Sequence, residues 1–288
     1  MPKRQGYRRS KGDVFEHINM PLRMSGASWV EPRGASIFFD DFQTGVLDGN
    51  VWDEVGVQAT SGTRFAWSAS AGGADAGHGG WIRGVTGTGD DDCEMHVQAL
   101  NWTTLNLQGG VLVFETRLVA PVITTMGINA GFTDAVTEGA AGNLWNVTSS
   151  DATSAIPTDG AAWCFDTDQT TDVFRGIGTV NDVDTTFAAA PAGVAPLADD
   201  PFVLRVEIDS AQVAYFHMTS YHTDPIGGGA LYAANDGVEP PVGYYGAASA
   251  GRSTIAMAPF ISVVARADTD NLALECDYVF CAAARSTK

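Results

Sequence analysis

The chain of 288 residues predicts an all-β sandwich carried behind an extended basic N-terminal arm. Three observations predict it. From Ala35 onward, short apolar or alternating runs recur between Gly, Asp, Asn and Pro, the period-2 pattern of strands that bury one face. No window of about twelve residues keeps the 3.6-residue period of an amphipathic helix. Glycine is abundant, 33 residues, and supplies the tight turns that many short strands need.

Strands are expected near Ser36–Phe42, Val51–Val57, Gly80–Val85, Glu94–Leu100, Gly110–Val119, Met126–Phe132, Ala161–Asp166, Val173–Val180, Phe202–Ile208, Gln212–Met218, Ala256–Ala265 and Leu272–Ala282. The pair Phe202–Ile208 and Gln212–Met218, separated by Asp209-Ser210, reads as a hairpin. Within Gly110–Val119, Leu112, Phe114, Thr116 and Leu118 share one face and make the better core side; Val111, Val113, Glu115 and Arg117 share the other. Two stretches, Gly139–Gly160 and Ala233–Ser253, read as long turn-rich loops, a length usually tied to function or an interface. No internal repeat and no second core is visible, so residues 35–288 are expected to form one sandwich.

Residues 1–34 form the arm, with Pro2, Pro21 and Pro32 breaking any long helix. Charge divides the chain at the same place. Residues 1–33 hold seven bases and three acids, a net of +4, which leaves −22 for the rest of a chain whose net charge is −18. An acidic body repels nucleic acid and anionic membranes, so neither is an expected partner. The arm residues Lys3, Arg4, Arg8, Arg9 and Lys11, with the apolar Phe15 and Ile18, are expected to dock on an acidic protein surface. The start lacks the apolar run of a secretory signal, and no stretch approaches the ~20 apolar residues of a membrane helix. The cysteines, Cys93, Cys164, Cys276 and Cys281, are too few for a disulfide framework and read as small buried side chains.

Four segments carry a resemblance. Phe38-Phe39-Asp40-Asp41-Phe42 with Leu47-Asp48 and Val51-Trp52 forms the opening. Gly109–Leu118 forms a central strand with Glu115 and Arg117. The Phe202–Phe216 hairpin follows, and Met257–Val264 with Leu272–Val279 closes the set. In this order they resemble the concanavalin A-like lectin/glucanase jelly roll, over roughly residues 36–283. The resemblance implies the sandwich; because this fold hosts lectins, hydrolases and inert modules, it implies no single function.

The glucanases of this fold carry a strand with three alternating carboxylates, and retaining hydrolysis needs two carboxyls about 5–5.5 Å apart. Glu207-Ile208-Asp209 and Glu275-Cys276-Asp277 begin such a run but lack its last Glu. Glu115 on another strand is the available partner; otherwise Glu207 and Glu275 read as solvated, or as ion-paired with Arg205 or Arg266. An enzyme is therefore not expected, and no catalytic residue is assigned. The five histidines show no zinc spacing. Asp90-Asp91-Asp92 with Glu94, and Asp166, Asp168 and Asp172, read as solvated turns, so no metal and no cofactor is expected. Sugar sites on this fold use exposed aromatics, and Trp145, Tyr244 and Tyr245 in the two long loops are the candidates for carbohydrate or interface contact.

The reading that gathers most of these features is a viral structural protein. Lectin-like jelly rolls of this kind are similar to decoration or cement proteins of tailed-phage heads. That resemblance implies a bacteriophage virion component whose arm binds the major capsid protein or another shell protein, and which forms a homo-oligomer, a trimer or dimer, through its loops. The alternatives are a carbohydrate-binding module on a virion or tail and, behind it, a jelly-roll glycoside hydrolase.

Overall fold

The computed structural model describes residues 35–42, 47–55, 68–69, 80–86, 92–97, 102–104, 111–136, 144–147, 153–186, 196–220, 243–251, 253–266 and 272–284. Among these residues there is no helix. The strands are β1 (Ala35–Asp40), β2 (Trp52–Val55), β3 (Ser68–Ala69), β4 (Ile82–Val85), β5 (Asp92–Val97), β6 (Val111–Val119), β7 (Met126–Thr133), β8 (Trp145–Val147), β9 (Thr153–Ala155), β10 (Asp159–Asp166), β11 (Arg175–Val180), β12 (Val183–Thr186), β13 (Phe202–Asp209), β14 (Val213–Ser220), β15 (Gly243–Ser249), β16 (Ala258–Ala265) and β17 (Ala273–Ala284).

They form two large antiparallel sheets. The eight-stranded sheet runs β15-β14-β13-β6-β17-β4-β3, with β1 also pairing β17; the seven-stranded sheet runs β12-β11-β10-β7-β16-β5-β2. The twelve residues of β17 (273–284) make it long enough to serve two partners along one edge, β4 first and β1 beyond it, while β6 takes the other edge. A short β8–β9 hairpin stands apart.

Every strand read from the sequence has a counterpart among the described strands; the expected ends at 56–57, 98–100 and 110 lie outside the described residues. The face chosen for β6 is the core face: Leu112, Phe114 and Leu118 are fully buried in the main apolar cluster. That cluster fills the space between the sheets. Phe114 meets Phe132 edge to face, with ring centroids 5.9 Å apart. Trp163 of the seven-stranded sheet meets Phe216 of the other at 5.5 Å, and its Nε1 donates to the carbonyl oxygens of Arg205 and His217, both at 3.1 Å. The buried indole thus closes its one polar group on the opposite sheet instead of leaving it unpaired.

Two expectations are corrected. The stretch Gly139–Gly160 holds β8 and β9, and Ala233–Ser253 holds β15, so neither is wholly a loop. The short hairpin strands Trp145–Val147 and Thr153–Ala155, and the Gly/Ala-rich GYYGAAS of β15, lack the apolar alternation that marks a strand. Cross-strand pairing to β14, not side-chain pattern, makes β15 a strand.

Candidate functional site

A strand that buries one face sends its alternate residues to the other, and on the eight-stranded sheet those residues build a charged network. Glu115 on β6 lies directly across from Arg205 on β13, which lies across from His217 on β14. On the far side of β6, the register shift between Cys276 and Tyr278 turns Tyr278 to the same outer face. Cys276 and Val279 stay in the main core, while Tyr278 joins Val111, Val113, Phe280 and Ala282 in a second apolar cluster.

Arg205 holds two carboxylates. Its Nη1 donates to Glu115 Oε2 at 3.2 Å, and its Nε donates to Glu207 Oε1 at 2.6 Å. Tyr278 donates its hydroxyl to Glu115 Oε1 at 2.8 Å. Glu115 is 1% exposed and Arg205 5%. Burial pushes the Glu115 carboxyl above the usual glutamate range, against the pull of Arg205 and Tyr278. Burial disfavours the charge on Arg205, but Glu115 and Glu207 outweigh it and hold the guanidinium protonated more firmly than usual. His217 is pushed down by burial; Glu207 opposes that shift and Arg205 reinforces it. A little further along the same face, Arg117 pairs with Asp277 at 3.1 Å and lies 5.1 Å from the centre of the Trp81 ring.

The outer face of the seven-stranded sheet is built differently. Leu144, Trp145, Ala162, Cys164, Ile177 and Phe260 form a third apolar cluster there. Trp145 is 0% exposed. Its ring packs 5.7 Å from Phe260, and its Nε1 donates to Thr179 Oγ1 at 2.9 Å. The expectation that Trp145 presents an exposed surface for sugar or a partner is therefore corrected: the β8–β9 hairpin lays the indole on this sheet, and the ring is internal. Beside it, Arg266 forms an ion pair with the buried Asp166 and donates to Asn146 Oδ1 at 2.6 Å. Arg266 thus serves Asp166, while Arg205 takes Glu115 and Glu207; Glu275, read from the sequence as solvated or ion-paired, is buried at 3% exposure.

The remaining sequence candidates separate plainly. Lys3, Arg4, Arg8, Arg9, Lys11, Phe15 and Ile18 lie outside the described residues. Tyr244 and Tyr245 lie on β15, where Tyr244 stands opposite His217 in register; their side chains also lie outside the description. Among the described residues no three His, Cys, Asp or Glu side chains gather as a metal site. Cys164, Cys276 and Cys281 are buried thiols whose ionisation burial pushes strongly upward. Sequence reasoning named Glu115, Glu207 and Arg205 but not Tyr278. The strand's alternation assigns Tyr278 to the core, and only the register shift moves it out.

No protein-family profile and no curated protein matches the chain. Among solved structures it is similar to a protein of unknown function from Shewanella oneidensis MR-1, with 10% identity, a TM-score of 0.54 and 98% of each chain covered. It is also similar to the carbohydrate recognition domain of Emp47p, with 11% identity, a TM-score of 0.52, and 88% of this chain and 99% of that one covered. The fold is the concanavalin A-like jelly roll. Lectin UEA-II complexed with galactose superposes at a TM-score of 0.49 and 9% identity, over 86% of this chain and 98% of that one. The first two superpositions show the jelly-roll fold, and identities this low leave its use open.

Proposed function

We propose that the chain is a non-catalytic surface component of a bacteriophage virion, a capsid decoration or cement protein. Its basic arm grips an acidic protein face, and its jelly roll self-associates. One observation carries the non-catalytic part: Arg205 clamps both carboxylates of the best acid pair on the sheet. A glycosidase needs one carboxyl open as a nucleophile or base and another open as an acid. Here Glu115 is buried, and both Glu115 and Glu207 are spent on one guanidinium. The division of charge between a basic arm and an acidic body supports the gripping role. Many weak seam contacts, repeated over a shell, then add up to firm attachment.

The purified full-length chain should co-sediment with assembled virion shells through a sucrose gradient, and deletion of residues 1–33 should abolish that. It should release no reducing ends from a panel of β-glucans. Sugar release that Glu207→Gln stops would overturn the reading in favour of a hydrolase. A glycan-array signal without shell binding would overturn it in favour of a carbohydrate-binding module.

A further inference from the structure

We infer that one end of the sandwich is a docking surface for the basic N-terminal segment of a second copy of this chain. The inference rests on the reading above, that the arm grips an acidic protein face, and it names that face.

The end is defined by connectivity. The turn from β6 to β7 joins the C-terminal end of β6 to the N-terminal end of β7, so the C-terminal end of β7 lies at the opposite end of the molecule. There it meets the start of β10 and the end of β11, through the pairs Thr133 with Gly160 and Asp159 with Val180. Among the described residues, three exposed large apolar side chains lie at this end: Val136 after β7 at 45%, Ile156 after β9 at 43% and Val183, the first residue of β12, at 63% exposure. Hydrogen bonds tie the turns together. Asp182 N donates to Thr158 O, Asp134 N donates to Asp159 O, and Asp134 Oδ1 accepts from the backbone nitrogens of Thr158 and Asp159.

Among the described residues, the charged side chains at this end carry one sign. Asp134, Asp182 and Asp184 stand beside the apolar residues in sequence and register, with Asp159 buried behind them. The described arginines lie elsewhere. Arg83, Arg117 and Arg205 belong to the eight-stranded sheet, Arg175 opens β11 at its far end, and Arg266 N bonds Thr125 O at the far end of β7. A partner for such a surface must bring bases and apolar side chains together on one segment. Residues 1–33 do so, with seven bases at a net of +4 interleaved with Val14, Phe15, Ile18, Met20 and Leu22.

The segment also leaves from the right place. Ala35 pairs with Ala284 beside the start of β6, and Asp209 pairs with Val111 at that same end. The turn after Asp209 is linked to the end of β11, because Ala250 N bonds Gln212 O and Gly251 N bonds Thr179 O. Donor segment and acceptor surface therefore share one end of the molecule. Two copies meeting at that end satisfy both contacts at once, the reciprocal arrangement of a closed symmetric assembly. A segment of this length spans up to roughly 100 Å when extended, enough to cross to a neighbour.

The test is sedimentation velocity of the full-length chain over a range of concentrations, in low and high salt. The chain should self-associate and do so more weakly in high salt, since exposed charge pairs are screened. Val183→Lys should weaken association about tenfold, and so should Arg8→Glu combined with Arg9→Glu. All three changes in one chain should recover part of the loss, because the charges are then exchanged. Thermal transitions check that each variant folds; Val183 is largely exposed, and Ile156→Lys is the second variant if Val183→Lys fails to fold. Association that ignores both sets of changes overturns the inference. So does a chain that is monomeric at every concentration yet still binds virion shells. A chain that neither self-associates nor binds shells overturns the proposed function as well.

Discussion

Arg205 shows why a charged residue can occupy a buried position on the face of a sheet. Removing a guanidinium from water costs several kcal/mol, which the Glu115 and Glu207 carboxylates offset, with the Tyr278 hydroxyl bonded in turn to Glu115. Burial, with Arg205 adding to it, lowers the proton affinity of the cross-strand neighbour His217. Its folded value lies below the ordinary 6.5, so the unfolded chain takes up the proton first. The stability it contributes is complete above 6.5 and is lost as pH falls through that value toward the folded one. The urea midpoint should therefore drop between about pH 7.5 and 5.5, and His217→Gln should make the drop smaller. Equal drops in both proteins would place the acid sensitivity elsewhere. Trp145 is the second residue whose surroundings define it. Trp145→Ala leaves a cavity against Phe260 and removes the bond to the Thr179 hydroxyl, which keeps its own bond to Asp184, at a cost of about 3–5 kcal/mol, measurable by urea denaturation. A loss of under ~1 kcal/mol would mean that the indole is not a core residue after all.

At the scale of elements, the strongly alternating strands were legible from sequence. β6, β7, β13, β14, β16 and β17 carry apolar residues at every second position because each sits between water or a second cluster on one side and the shared core on the other. β3, β8, β9, β12 and β15 were not legible. They are short or poor in large apolar side chains, and hydrogen bonds to a neighbouring strand bring them into the fold. The closeness of the sheets sets a different demand, for absent side chains. A Cβ on Gly176 of β11 would stand 2.5 Å from the ring of Phe216 on β14. Gly176→Ala should cost about 1–3 kcal/mol by urea denaturation, since a packed aromatic ring must shift. An unchanged midpoint would show that the ring has room to move.

At the scale of the whole molecule, the sandwich sorts its charge. The described arginines lie on the sheets or toward the β6–β7 end, while the end around Thr133 and Val180 places acids and exposed apolar residues together with no described base among them. Shell binding that depends on the arm, and salt-sensitive association that depends on Val183, are the readouts of this scale. They belong here because no single side chain creates the surface. Three turns, far apart in sequence, do so by ending adjacent strands at one level.

The amino-acid order alone determined the all-β class, the core face of the central strands and the division of charge between a basic first stretch and an acidic remainder. Each of these is written in local alternation or in simple counting of residues. It also pointed to Glu115, Glu207 and Arg205 as residues to watch. Only the tertiary structure decided that one arginine clamps both glutamates, that Tyr278 completes the set, and that Trp145 is internal. Those facts depend on cross-strand register and on a one-residue slip in β17, and register is set by partners as far apart along the chain as Ala35 and Ala284.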